Sequence, residues 1–274
     1  LVFKLIHPQT TIVYDAHELE TERYGITKSQ KYIISIIEKI TVKMANITLV
    51  VSPNIEKFYK NKYGNTKIML LPNSFSNQAY IANCSVDLRA KFGIKSEQKI
   101  LLHSGSITNS RGIEEIVDVI GGLAKDRYVF VFLGDGPMRE MLEESENDVD
   151  RCEVHFLDFV EYTEILGIVR QADYGLCLFK SDCLSYEFAL PNKFFEYIYA
   201  GIPPIIWPRS DMAEAVGECW PLTDHTESAS GLVKTIDTMD HTLELSSDIT
   251  RMQKSWCWDR HFGELISRLR QRAD

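Results

Sequence analysis

The sequence contains no apolar run approaching the roughly 18 residues that a helix needs to cross a bilayer. Nothing in it therefore predicts a helical membrane span. Its six cysteines, at 84, 152, 177, 183, 219 and 257, include no CxxC pair. Reduced thiols of a cytoplasmic protein are expected, rather than a zinc or disulfide framework. None of the seven histidines forms an i,i+4 pair with a nearby acid, so no metal site is expected. Positive charge is also scarce: the formal net charge is −9, which argues against a broad nucleic-acid surface but leaves room for a local basic pocket. No GxGxxG follows an apolar run, which disfavours a nicotinamide oxidoreductase. The chain opens at Leu1 without a Met, a basic stretch or a small-residue cleavage site. It is expected to carry no signal peptide and to be a fragment or a chain with residues missing.

What is present has the balance of a soluble globular protein. With 274 residues, 45% hydrophobic and 25% charged, the chain is long enough for one large domain or two modest ones. Short apolar runs occur at Thr11–Tyr14, Ile47–Val51, Lys67–Leu71, Ile100–His103, Tyr128–Leu133, Val154–Leu157, Tyr174–Phe179 and Pro204–Trp207. They are continuously apolar rather than alternating, as in strands buried on both faces of a parallel sheet. Helical patterns separate them, including Gly112–Leu123, Met138–Glu146 and Tyr162–Gln171. This rhythm predicts an α/β fold with doubly wound sheets. It restarts after the polar stretch Phe75–Val86, which sets domains at 1–80 and 81–255.

The helical pattern Ser29–Ala45 places Ile33, Ile36, Ile37, Ile40 and Met44 on one face, with Lys31, Lys39 and Lys43 over much of the remainder. Packing of the apolar stripe on the adjacent sheet is the preferred reading. Peripheral contact with an anionic membrane is the second.

Four segments could carry chemistry. In HSGSITNSRG, Gly105 permits close backbone approach, and Arg111 precedes a helix whose free amides favour an anion. An ordinary strand–loop–helix connection explains that segment equally well. LGDGP, at 133–137, is read as a tight βα turn. In LPNKFFEYIYAG, Asn192 is expected to cap a helix that Gly201 stops, with Phe194, Phe195, Ile198 and Tyr199 on its apolar face. Asn192 and Glu196 fall on the opposite, polar side, and Lys193 and the first-turn amides could face phosphate. In YDAHELE, His17 follows a buried strand between Asp15 and Glu18. A structural histidine is the commoner outcome there.

Read in order, YDAHELE, VVSPNI, LLPNS, HSGSITNSRG, FLGDGP, VHFLDFV, LPNKFFEYIYAGIPPI and SWCWDRHFGELISRL resemble glycosyltransferase family 4 (group 1), retaining enzymes of the GT-B fold. The likeness runs from Thr11 almost to the end. It implies two Rossmann-like domains, the N-terminal one incomplete here, with residues 256–274 returning as a helix to that domain. It further implies metal-independent transfer with no cofactor. His17 would contact the transferred sugar and Arg111, where a Lys is usual, the donor diphosphate; these are the expected catalytic groups. Glu196 would hold the ribose hydroxyls, Phe159 and Val160 would seat the nucleobase, and Leu190, Pro191, Asn192 and Lys193 would line the phosphates near Gly105 and Ser106. Two departures stand out: Ser106 replaces a frequent Arg, and Phe188 replaces a frequent Glu, with Glu187 adjacent.

The resemblance implies a retaining enzyme moving a sugar from a UDP- or GDP-sugar to a saccharide or lipid-linked saccharide. Surface polysaccharide assembly at the inner face of the membrane is the expected setting. A sugar-nucleotide 2-epimerase, or a non-catalytic nucleotide-binding protein, are the alternatives.

Overall fold

The computed structural model describes residues 7, 9–64, 67–76, 84–145, 150–158, 160–179, 183–208, 210–217, 220, 228–239 and 245–271. The chain divides into two compact units. The first comprises Leu1–Asn77, Ser181–Leu190 and Cys257–Asp274; the second comprises Gln78–Lys180 and Pro191–Trp256. Residues 181–190 thus group with the first unit, although the sequence reading placed them within 81–255.

In the first unit, β1 (Val13–Ala16), β2 (Ile47–Val50) and β3 (Ile68–Leu70) form a parallel sheet in the order β1-β2-β3. Val13 aligns with Ile47, and Thr48 with Ile68. The first strand starts two residues later than its apolar pattern suggests. Helix α1 (Lys28–Met44) starts at a capping box: the Thr27 amide donates to the Gln30 side chain, and the Gln30 amide donates back to the Thr27 hydroxyl. Helix α2 (Pro53–Tyr63) is capped by Ser52, with proline in its first turn.

Alternation along β2 sends residues to opposite faces of the sheet. Val50 joins Ala16, Leu19, Val42, Ile55 and Tyr59 on one side. Ile47 and Leu49 join Met69 and Leu265 on the other, with Phe262 and Leu269 packed against them.

Helix α1 does not bury its apolar stripe. Ile33, Ile36, Ile37 and Ile40 are 43–56% exposed, while Glu38 and Val42 face inward. Packing of the stripe on the adjacent sheet is therefore corrected. The reason lies in Glu38, whose carboxylate accepts hydrogen bonds from the Tyr59 hydroxyl, from Tyr63 at 2.9 Å and from Lys62 at 3.2 Å. A charge with three donors is retained in the interior, and the helix turns to supply it.

The second unit contains α3 (Leu88–Phe92), β4 (Lys99–Ser104), α4 (Ile113–Gly122), β5 (Tyr128–Leu133), α5 (Arg139–Ser145), β6 (Glu153–Leu157), α6 (Tyr162–Val169) and β7 (Tyr174–Cys177). The short α7 (Leu184–Glu187) lies in the first unit. The second then resumes with α8 (Asn192–Ala200), β8 (Pro204–Ile206), α9 (Ser210–Val216), α10 (Ala229–Met239) and α11 (Leu245–Ser255). The terminal helix α12 (Trp258–Arg270) belongs to the first unit and supplies Phe262, Leu265 and Leu269 to its core.

The sheet of the second unit is parallel in the order β6-β5-β4-β7-β8. Its centre is wholly apolar: Ile100, Leu101 and Leu102 on β4 and Tyr128–Phe132 on β5 are fully buried. Chain order reverses between β4 and β7. In open parallel sheets the crevice beyond the carboxyl ends of such a strand pair is where ligands bind. The α/β, doubly wound reading of this unit follows directly from its strand order.

Candidate functional site

At the carboxyl end of β4 the chain turns through Gly105, whose φ of 100° is a conformation that side chains rarely tolerate. The Gly105 amide donates to the Leu133 carbonyl, and the Ile107 amide to that of Asp135. The loops after β4 and β5 thus lie against each other. A Cβ on Gly134 would sit 2.4 Å from the Gly105 oxygen, and one on Gly136 would sit 2.3 Å from that of Ile107. Close loop packing accounts for both glycines of LGDGP without a ligand, as expected of a tight βα turn.

From this turn the chain runs through a 3₁₀ turn, Asn109–Arg111, into α4. Gly112 makes the junction, with φ of 70° and a would-be Cβ 2.7 Å from the Leu178 side chain. Arg111 is placed just before the free amides of α4. Its guanidinium carbon lies 4.1 Å from the centroid of the Phe179 ring, beyond the end of β7. The Lys193 ammonium approaches the same ring at 5.5 Å. Two cations therefore converge on one aromatic face.

Helix α8 carries Lys193 and Glu196. Pro191, not Asn192, occupies the cap position, and no side chain caps the helix. Asn192 falls inside the first turn and is exposed, because Pro191, held extended at φ −75°, enters the helix directly. The expected capping role of Asn192 is thereby corrected. Gly201 ends the helix in the left-handed conformation, at φ 83°. The expected polar side is not solvent-facing either: Lys193 is 8% and Glu196 7% exposed. The helix packs on β7, α6 and α11, so even its polar positions are covered.

Glu196 reaches β4, where Ser104 Oγ donates to its Oε2 at 3.0 Å. Burial raises its pKa, while the Ser104 bond and the Lys193 charge oppose the rise. Lys193 makes no ion pair with any described carboxylate. Its Nζ lies 3.4 Å from His103 Nε2, which is also 3.3 Å from the Ser106 carbonyl. A neutral imidazole can accept from the lysine or donate to the carbonyl through that nitrogen, but not both. Burial, with Lys193 and Arg111 nearby, holds the His103 pKa well below its ordinary value. Burial above all, with Arg111 adding to it, pulls Lys193 down to about 8 despite the opposing influence of Cys177 and Glu196. Among the described residues no carboxylate pairs directly with this buried ammonium, and Glu196 acts on it only at longer range. An anion would supply a direct counter-charge.

Tyr197 fixes the helix from below. Its hydroxyl accepts from the Ser104 amide at 2.9 Å and lies 3.2 and 3.3 Å from the carbonyls of Leu102 and Leu176. The ring lies over Gly175, where any Cβ would come within 2.3 Å of it. Tyr197, Gly175, His103, Ser104 and Phe179 were not singled out from sequence. Their signal was present only as position, at the ends of β4 and β7 and on the inner side of α8.

The second unit thus brings together Gly105, Ser106, Arg111, Lys193 and Glu196. Gly105 and Ser106 are exposed at the turn. Pro191 and Asn192 begin α8, whereas buried Leu190 is the last residue of the 181–190 segment of the first unit. Val160 is half-buried just before α6. Phe159 lies outside the described residues. His17 belongs to the first unit, where its Nδ1 lies 2.8 Å from Asp15 and its side chain is 61% exposed. Glu187 ends α7, and Phe188 packs on the core of the first unit rather than presenting a polar group.

Comparison with known proteins places this geometry. The family described as "Glycosyl transferases group 1" matches residues 98–239, which contain every element of the site from β4 to α8. A putative colanic acid biosynthesis glycosyl transferase, WcaI of Escherichia coli (strain K12), is 20% identical over 159 residues, covering 57% of this chain and 39% of its own. The matched region thus spans about two fifths of that curated relative. Among solved structures, sucrose-phosphate synthase from Thermosynechococcus elongatus superposes with a TM-score of 0.74 at 19% identity, covering 98% of this chain and 70% of its own. Anabaena HepE, in complex with UDP and glucose, gives 0.75 at 13% identity, covering 98% and 74%. These likenesses show the Rossmann-like GT-B fold. The chain belongs to the group 1 glycosyl transferases.

Proposed function

We propose that the second unit binds a nucleotide-sugar donor and that the whole protein transfers its sugar, with retention of configuration, to a saccharide or lipid-linked saccharide. The observation that carries this reading is the buried Lys193 beside Arg111 at the reversal between β4 and β7. In transfer, the bond between the anomeric carbon and the diphosphate breaks as the acceptor oxygen bonds to that carbon. The diphosphate leaves with the bonding electrons, and its departing oxygen takes up the proton that the acceptor hydroxyl loses. Arg111, Lys193 and the first-turn amides of α8 would meet the charge that develops on the leaving group. Glu196, anchored by Ser104, would accept hydrogen bonds from the ribose hydroxyls, with Val160 beside the base. In this reading the cations take the role that a metal plays elsewhere, and no cofactor is needed beyond the donor.

A UDP-sugar is favoured over a GDP-sugar because HepE structures hold UDP and UDP-glucose. Polysaccharide assembly at the inner membrane face is favoured by the likeness to the colanic acid transferase. Calorimetric titration with UDP and GDP tests the donor claim. Binding of either diphosphate, weakened in Lys193→Met and Arg111→Met, is expected. Binding of neither, with the fold intact, overturns it.

A further inference from the structure

Helix α1 carries two features that the donor site does not use. The first is its outward ridge of Ile33, Ile36, Ile37 and Ile40, flanked by exposed Tyr32. At about 100° per residue these side chains span a continuous arc. The only carboxylate on the helix, Glu38, points inward, so the outward arc carries no negative charge. The second feature is a cavity of about 420 Å³ on the neighbouring flank, towards α2 and β3. Lys39, Lys43, Lys62 and Lys67 line it, with Tyr63 and Ile68.

Charge bookkeeping within the cavity favours an anion. Lys62 pairs with Glu38, and Lys67 donates to the carbonyls of Lys43 and Ala45. Lys39 and Lys43 make no ion pair among the described residues. Four lysines therefore share one buried carboxylate, in a chain whose formal net charge is −9. Mutual repulsion among these ammonium groups is relieved by a phosphate, while the adjoining ridge needs an apolar partner. A lipid with an anionic headgroup supplies both at the required adjacency. A free phosphate covers only the pocket, and a second protein copy of the same negative charge would need a separate acidic patch.

We propose that α1 and the lysine cavity form a docking surface for an anionic phospholipid bilayer. The isoleucine ridge sinks to the acyl boundary, and the cavity holds a lipid phosphate. The inference deepens the proposed membrane-face role, but it stands on the first unit alone.

The test is cosedimentation of the 274-residue chain with phosphatidylcholine vesicles, with and without phosphatidylglycerol. Binding is expected only to the anionic vesicles and should weaken with added salt. Lys39→Gln combined with Lys43→Gln should weaken it roughly thirtyfold, and Ile36→Ser combined with Ile37→Ser roughly tenfold. All four positions are exposed, so both variants should keep the parent's unfolding midpoint, which serves as the control for folding. Equal binding to neutral vesicles, unaltered binding by either variant, or no binding at all overturns the proposal. So does a concentration-dependent dimer abolished by the isoleucine substitutions without vesicle binding, which would assign the ridge to a second copy. Failure of UDP to bind while vesicles do would overturn the donor reading and leave this one standing.

Discussion

Glu38 in the first unit and Lys193 in the second are both buried charges on helices packed against a parallel sheet, yet their surroundings are opposite. Glu38 is met by two tyrosine hydroxyls and the Lys62 ammonium. Burial, together with the carboxylate, raises the pKa of both tyrosines, so they stay protonated and donate. Lys193 faces an imidazole, a guanidinium and an aromatic ring, with Glu196 near but not paired to it, and burial above all lowers its pKa. The contrast separates two uses of buried polarity. A charge met by direct donors specifies how a helix sits; one without a directly paired opposite charge favours an anionic ligand.

That contrast can be broken by substitution. Close packing at the second site gives the largest effect: Gly175→Ala drives a Cβ into the Tyr197 ring and should cost about 3 kcal/mol or more. Urea denaturation would reveal it; a change within error would mean that the ring moves freely. Next, Glu38→Ala leaves one buried and one half-buried hydroxyl without their acceptor and should cost about 3 kcal/mol by the same measurement. Lys193→Met should behave in the opposite way. It should weaken UDP binding about 10- to 100-fold, the worth of one charged hydrogen bond to phosphate, without loss of stability.

The sign of the pH effect follows from the depressed pKa of Lys193. Between about 8 and 10.5 the unfolded chain holds a proton that the folded chain has released, so this residue makes stability rise with pH across that window. Lys193→Met should therefore raise the unfolding midpoint relative to the parent at pH 7, and the gap should close towards pH 10.5. Affinity moves the other way. UDP prefers the protonated ammonium, so parent affinity should decline as pH rises through about 8, and the variant should show a flatter profile. A parent affinity flat from pH 7 to 9 would remove Lys193 from the diphosphate site.

Much of the second unit was legible in the sequence because its strands are continuously apolar. The run Tyr128–Leu133 is β5 to the residue, and the runs beginning at Tyr174 and Pro204 start where β7 and β8 do. The chemistry of α8 was only half legible. Its composition and spacing marked Lys193 and Glu196, but helical periodicity cannot show that a polar side will be covered by α6 and α11. Nor could it show that Pro191 would take the cap from Asn192. In α1 the apolar stripe invited burial, but the tyrosines that satisfy Glu38 lie on the next helix, 21 and 25 residues away. Such long-range partners leave no periodic trace. His17 was legible as a histidine after a strand, and its contact with Asp15 explains its local geometry alone.

The central claim is that a donor diphosphate completes the charge balance around Lys193 and Arg111. A crystal structure of the chain with UDP tests it most directly. The account predicts phosphate oxygens within hydrogen-bonding distance of Lys193 Nζ and the Arg111 guanidinium, and ribose hydroxyls on Glu196. A nucleotide bound elsewhere, with Lys193 still beside His103 and no anion near it, would contradict the account.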